Sequence, residues 1–413
     1  MSYYNKYLKY KNKYLFLKNQ KSGFINTEFD YQKEYDEIKK IYKNEKDEIK
    51  AKKAVINYFS KIINEIEAET DNEKKEKLKK GFLNLRILME NKFMRDINCK
   101  YVYLITPKKY GCDLLELIYN ILSETAEEIN LRNNILAGIS KISLSKQIPH
   151  IITDIDDTIY PNPGKLNINI AGSDYSWKKK ELYPGIKEFY QMFNKDTQEN
   201  NPGIIIYNTV LSATPTALKP HKLKDEVLIS VLKNDFGFLS GKDSLQKAIA
   251  DIEVTKLKEG NYKIEPNAKS VGDKKYEKFI KYKQLFPEYK LLFIGDNGQG
   301  DLISGKKMLE TCSECMVFIH NILKNDFNFK FDDERINQEI NDPKYKGRLF
   351  FFKNYYELAQ IFNKLKLMNN ADLNTIKDNV VKTLSENKYS DQAVNKNYYC
   401  CDNQKCNMGC IKK

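Results

Sequence analysis

From residue 148 onward the chain repeats one texture: a short, nearly unbroken apolar run, a stretch with helical spacing, then another apolar run. The runs are HIITDI (150–155), GIIIYNTVLSA (203–213), YKLLFIGD (289–296), CMVFIHNI (315–322) and GRLFFFKN (347–354). A strand with one face in water alternates apolar and polar residues, whereas a continuously apolar strand is covered on both faces. Helical patterns at 183–194, 222–234, 272–285 and 301–311 lie between the runs and can supply that cover. The expected fold class is therefore α/β, a Rossmannoid parallel sheet with helices on both faces. In such sheets the working side chains gather beyond the carboxyl ends of the strands.

The 413 residues exceed one ordinary core. The first 27 form a basic leader rich in Tyr and Lys, and residues 28–147 read as a mostly α-helical domain. There, Tyr35, Ile38, Ile41 and Tyr42, then Ile49, Val55, Ile56 and Phe59, share one face, with acids and bases on the other. Two more helical stretches, 112–127 and 130–142, follow a strand-like KYVYLIT at 100–106. The sheet domain is expected over 148–370, and a C-terminal helix with a Cys-containing tail over 371–413. Cys400, Cys401, Cys406 and Cys410 crowd that tail without a zinc spacing. Cys99, Cys112, Cys312 and Cys315 read as small buried hydrophobes, and the Cys312–Cys315 spacing lacks the second pair that zinc would need. His150, His221 and His320 are too dispersed for a metal spacing and are expected in structural or surface roles.

The formal net charge of +13 favours polyanionic partners: a phosphorylated substrate, an anionic membrane surface or nucleic acid. No run of about 18 apolar residues appears, so no transmembrane helix is expected. The N-terminus lacks the apolar segment of a signal peptide, and an intracellular protein is expected. Oligomeric state is not legible.

Three of the runs end in polar residues suited to phosphate or metal. HIITDI ends with Asp154 and Asp156, IIIYNTVLS with Ser212, and LLFIGD with Asp296, followed by Asp301. One such Asp would be an ordinary helix cap, but three strands ending this way call for another cause. A carboxylate can attack phosphorus and form an aspartyl-phosphate; Asp154 is placed to do so. Asp156, two residues on, can protonate the leaving oxygen and then activate water. Gathered carboxylates need a cation among them, and Mg²⁺ takes oxygen ligands. Those expected are the Asp154 carboxylate, the Asp156 carbonyl and Asp296, with Asp301 a further ligand or an anchor. Ser212 would bind a phosphoryl oxygen, and a lysine from 274, 275 or 278 would neutralise developing charge. Asp157 is expected to orient the turn.

These residues resemble the motifs of the haloacid-dehalogenase (HAD) superfamily of phosphohydrolases: DIDDT for the first, LSATP for the second and FIGDNGQGD for the fourth. Within it the region is similar to the phosphatidate phosphatase family of the actin-patch type, through TDIDDT, YPGIKEFYQMF (183–193), LSATP (211–215), KYEKF (275–279), LFP (285–287) and FIGDNGQGD (293–301). The resemblance implies a HAD-like fold, a Mg²⁺-dependent phosphatase and Lys275 as the third-motif lysine. It departs where SATPTAL lacks the usual aromatic, where GDNG stands for GDSG, and in the segment after the first motif. A lipid phosphate such as phosphatidate is the first substrate expected, and the insertions around 159–182 and 216–274 are candidates for a lid. The leader resembles those of giant DNA virus proteins of the mimivirus type. Two alternatives stay open: a nucleic-acid end phosphatase, and a non-catalytic viral binding protein that keeps the fold.

Overall fold

The computed structural model describes residues 29–97, 113–122, 125–161, 174, 177, 181–211, 255–256, 262–263, 268–298, 300–322 and 333–386. The leader, the 100–106 run, Ser212, His221, Cys99, Cys112 and the four tail cysteines lie outside them. The chain divides into two compact units.

One unit takes in Met1–Cys99, Gly111–Ser145 and Gln198–Ile205. Its described elements are helical: α1 (Tyr31–Asn44), α2 (Glu48–Ala68), α3 (Asn72–Asn91) and α4 (Ala126–Lys141), with short helical pieces between α3 and α4. Each long helix starts at a side-chain cap. Asp30, Asp47 and Asp71 accept from backbone N–H groups of the first turn, and Thr125 forms a capping box with Glu128. Tyr35, Ile38, Val55, Ile56 and Phe59 are buried as their spacing predicts. Ile49 is not: it is 61% exposed, because it stands in the first turn of α2 within a stretch, 43–50, that is exposed throughout.

The other unit takes in Lys100–Tyr110, Lys146–Thr197 and Ile206–Lys413. It is an α/β unit. Its strands are β1 (Ile148–Thr153), β2 (Thr209–Val210), β5 (Tyr289–Asp296), β6 (Met316–His320) and β7 (Leu349–Phe352), all parallel in the order β2-β1-β5-β6-β7, with a separate hairpin of β3 (Thr255–Lys256) and β4 (Tyr262–Lys263). The described helices are α5 (Ile186–Asn200), α6 (Ala268–Leu285), α7 (Asp301–Thr311), α8 (Asp333–Asn341), α9 (Tyr355–Lys364) and α10 (Asn370–Glu386). Ile151, Leu292, Ile294 and Phe318 share one core with Phe189 of α5, Phe362 of α9 and Ile376 and Val380 of α10. On the opposite face Tyr282 of α6 bonds His150, and Gly305 of α7 lies against Val317. Both faces are therefore covered, which is why the strands could be apolar at successive positions.

Two expectations change. The division at 370/371 falls at the start of α10, whose Ile376 and Val380 belong to the sheet core. Of the run expected at 203–213, the described residues 203–211 form only the two-residue β2. Upstream of it, the Asn84 amide donates to Gly203 O at 2.8 Å and accepts from Ile205 N at 2.9 Å. Those backbone groups are thus bound to a side chain instead of a neighbouring strand. Among the described residues no helix is long and apolar enough to cross a membrane.

Candidate active site

The carboxyl ends of β1 and β5, neighbours in the sheet, bring the acidic residues together. Asp154 follows β1 and stays in its ladder through its N–H to Ile294 O, 2.9 Å. Lys275 reaches it from α6, with Nζ 3.0 Å from Asp154 Oδ1. The same ammonium bonds Asp301 Oδ1 at the start of α7. The other Asp301 oxygen accepts the N–H of Asp296 at 3.2 Å. Asp154 and Lys275 are 1% exposed, Asp296 and Asp301 fully buried. Lys274 and Lys278 are only partly buried.

Glycine makes this fit. A Cβ at Gly295 would collide with the Asp301 carboxylate, so any other residue would push Asp301 off Lys275. Gly300, at φ 96, sets the left-handed turn that starts α7 and points Asp301 inward.

One oxygen each from Asp154, Asp296 and Asp301 lie within 4.8 Å of one another. Asp296 Oδ1 accepts from Gly298 N at 2.5 Å, but its Oδ2 has no hydrogen bond. Asp154 Oδ1 is close enough to Lys275 to pair but is not aligned for a hydrogen bond. Buried carboxylate oxygens left without hydrogen bonds are costly. Accordingly burial pushes the Asp154 carboxyl up to about 7, against the pull of Lys275 and with a further push from Asp301 and Asp156. Burial and then the Asp301 charge raise Asp296 well above the carboxylate range. For Lys275 burial acts downward, but Asp154 and Asp301 outweigh it and the net direction is upward. Two oxygens facing a third carboxylate with too little positive charge fit a hard divalent cation. Asp301, with both oxygens engaged, holds Lys275 and the Asp296 backbone.

Asp156 is 8% exposed and lies in the turn after β1, bridged to Tyr160. Asp157 has φ 56 and orients that turn by its backbone. Ser212 is outside the described residues; the neighbouring Leu211 donates its N–H to Thr153 O at 2.7 Å, alongside β1.

Sequence reading missed the residues behind the turn. His320 Nδ1 lies 2.8 Å from Asp157 O and Nε2 3.2 Å from Lys353 O. Burial holds this ring below its usual pKa, opposed by Asp174. Both ring nitrogens face carbonyl oxygens, a neutral imidazole has one N–H, and an N–H on Nδ1 suits the shorter contact, to Asp157 O. Tyr355 donates to Thr158 O at 2.6 Å, and Tyr183 to the Asp174 carboxylate at 2.5 Å. Asn297, where GDNG departs from GDSG, bonds Asn321 at 2.7 Å and so joins the loops after β5 and β6. Of these residues Tyr183, inside YPGIKEFY, and Asn297, inside FIGDNGQGD, lay in quoted motifs. Cys312 and Cys315, expected as separate buried side chains, are joined by a disulfide across the end of α7.

The chain matches no protein-family model, no curated protein and no solved structure.

Proposed function

We propose that the protein is a divalent-metal-dependent phosphatase of the HAD type, hydrolysing a phosphomonoester through an aspartyl-phosphate on Asp154. The observation that carries this reading is the buried group of Asp154, Lys275, Asp296 and Asp301 at the ends of two adjacent parallel strands. A bound Mg²⁺ would supply positive charge to the phosphoryl oxygens. The Asp154 and Asp296 carboxylates and the Asp156 carbonyl would hold it. Asp154 attacks phosphorus, and Asp156 gives its proton to the leaving oxygen as the P–O bond breaks. Asp156 then takes a proton from the water that cleaves the aspartyl-phosphate. Lys275, fixed by Asp301, offsets charge on Asp154 and on the phosphoryl group. The motifs shared with actin-patch-type phosphatidate phosphatases make a lipid phosphate the first substrate to test. The basic charge suits a peripheral contact with an anionic surface.

The test is Mg²⁺-dependent phosphate release from an aryl phosphate and from phosphatidate in mixed micelles, for wild type and Asp154→Asn. Release from both, lost in the variant, is the expected result. Release from the aryl phosphate alone would keep the enzyme and discard phosphatidate. A folded protein that releases phosphate from neither would overturn the reading.

A further inference from the structure

The turn Asp154–Tyr160 carries the acid of the proposed reaction, and the inference below rests on that reading. Within the turn, Asp157 N bonds Tyr160 O at 2.9 Å and Ile159 N bonds Ile155 O at 2.8 Å. The carbonyls of Asp157 and Thr158 instead meet side chains from outside it. His320, at the end of β6, is 2.8 Å from Asp157 O, and Tyr355, the first residue of α9, is 2.6 Å from Thr158 O. Tyr183, before α5, lies 3.4 Å from Asp157 O but gives its one hydrogen to Asp174, at 2.5 Å. Buried carbonyls need such partners.

The three rings also brace one another. His320 and Tyr355 are fully buried and Tyr183 is 3% exposed. His320 stacks on Phe352 with centroids 5.0 Å apart and meets Tyr183 edge-on at 4.7 Å. Asp157 sits at φ 56, a conformation that costs a non-glycine residue about 1 kcal/mol or more and persists only when its surroundings enforce it. The next residue toward the N-terminus is Asp156.

We infer that His320 and Tyr355 are positioning residues for the acid: by gripping the carbonyls of Asp157 and Thr158 they fix the bent backbone from which Asp156 reaches the leaving oxygen. They touch neither substrate nor phosphorus. Their effect is on where the Asp156 side chain points, and so on the proton transfer that accompanies P–O cleavage; a shift of the Asp156 carbonyl would raise the Mg²⁺ requirement for both substrates alike, so rates are compared at saturating Mg²⁺. A leaving group that departs as a stable anion needs no such proton, whereas an alkoxide does.

The experiment compares kcat/KM, which reports the steps up to cleavage, for p-nitrophenyl phosphate and for an alkyl phosphate. Tyr355→Phe removes one oxygen and keeps the ring; His320→Phe removes the N–H; His320→Asn returns a donor near Nδ1. Both Phe variants should lose about 10- to 100-fold on the alkyl phosphate and less than about threefold on the aryl one. His320→Asn should recover most of the loss. Amide hydrogen exchange should quicken at Asp157–Tyr160 in the Phe variants and stay unchanged in β5 and β6. Equal losses on the two substrates, with unaltered exchange in the turn, would overturn the inference while leaving the phosphatase reading intact. If His320→Phe fails to fold, Tyr355→Phe decides alone. Wild type that hydrolyses neither ester would overturn the underlying reading and this inference with it.

Discussion

His150 within β1 and Asp154 just past its end are buried ionisable side chains four residues apart, and they are treated in opposite ways. His150, near the start, has its Nε2 3.0 Å from Thr209 Oγ1 and 3.1 Å from Tyr282 OH, and its ring stacks on Tyr289 at 4.3 Å. Burial brings its pKa down to about 3, so it is neutral and satisfied. Asp154, beyond the other end, is packed among carboxylates with Lys275 as the neighbouring cation and an oxygen that lacks a hydrogen bond. Polar groups placed for stability find partners within the fold. On the proposed reading, Asp154 is short of partners at the carboxyl edge because a cation and a phosphoryl group would complete its surroundings.

The comparison can be broken in several ways. The largest effect belongs to Asp154→Asn, which should cut phosphate release by on the order of 10⁴-fold or more. Because it removes a charge from a crowded buried group, its thermal midpoint in metal-free buffer should hold or rise; a marked fall would mean Asp154 is structural after all. Next comes Lys275→Ala. Deleting this cation strands Asp154 and Asp301, and denaturant unfolding should show a loss of about 3–5 kcal/mol.

His150 provides a third test, by pH. Its folded pKa lies below the unfolded value, so its contribution is complete above pH 6.5 and is lost as pH falls toward about 3. Across that window it should add a slope of up to about 1.4 kcal/mol per pH unit to the stability curve. His150→Phe should flatten that slope while sparing phosphate release at neutral pH; an unchanged slope would mean the ring is not held neutral. The smallest effect is Gly295→Ala, about 1–3 kcal/mol. Here activity should fall more than stability, since the new methyl displaces Asp301 and through it Lys275. Normal kinetics in that variant would show that Asp301 has room to move.

The strands were legible because burial on both faces leaves an apolar run, and the helices of the first unit because their buried side chains recur at helical spacing, as at Tyr35, Ile38, Val55, Ile56 and Phe59. Ile49 and β2 were misread for a common reason. Spacing says which residues could share a face or a strand, but not where a neighbouring element stops or that Asn84 binds the backbone at Gly203 and Ile205. Within the site, acids at strand ends and a lysine at motif spacing mark themselves by residue type. His320 and Tyr355 do not, because they act on backbone carbonyls, which every sequence supplies. The disulfide between Cys312 and Cys315 was likewise hidden by a spacing that sequence reading had weighed only for zinc or redox chemistry.

The register of β1 against β5, from Ile148↔Tyr289 to Thr153↔Ile294, has a consequence in time. It joins segments about 140 residues apart. A chain growing at ~5–20 residues per second leaves β1 without that partner for on the order of ten seconds. During this interval HIITDI is a bare apolar strand, exposed to mispairing, whereas the packing of α1 with α2 and α3 joins segments close in sequence. Synthesis speed and chaperone supply should therefore decide the yield of the sheet unit more than that of the helices before it.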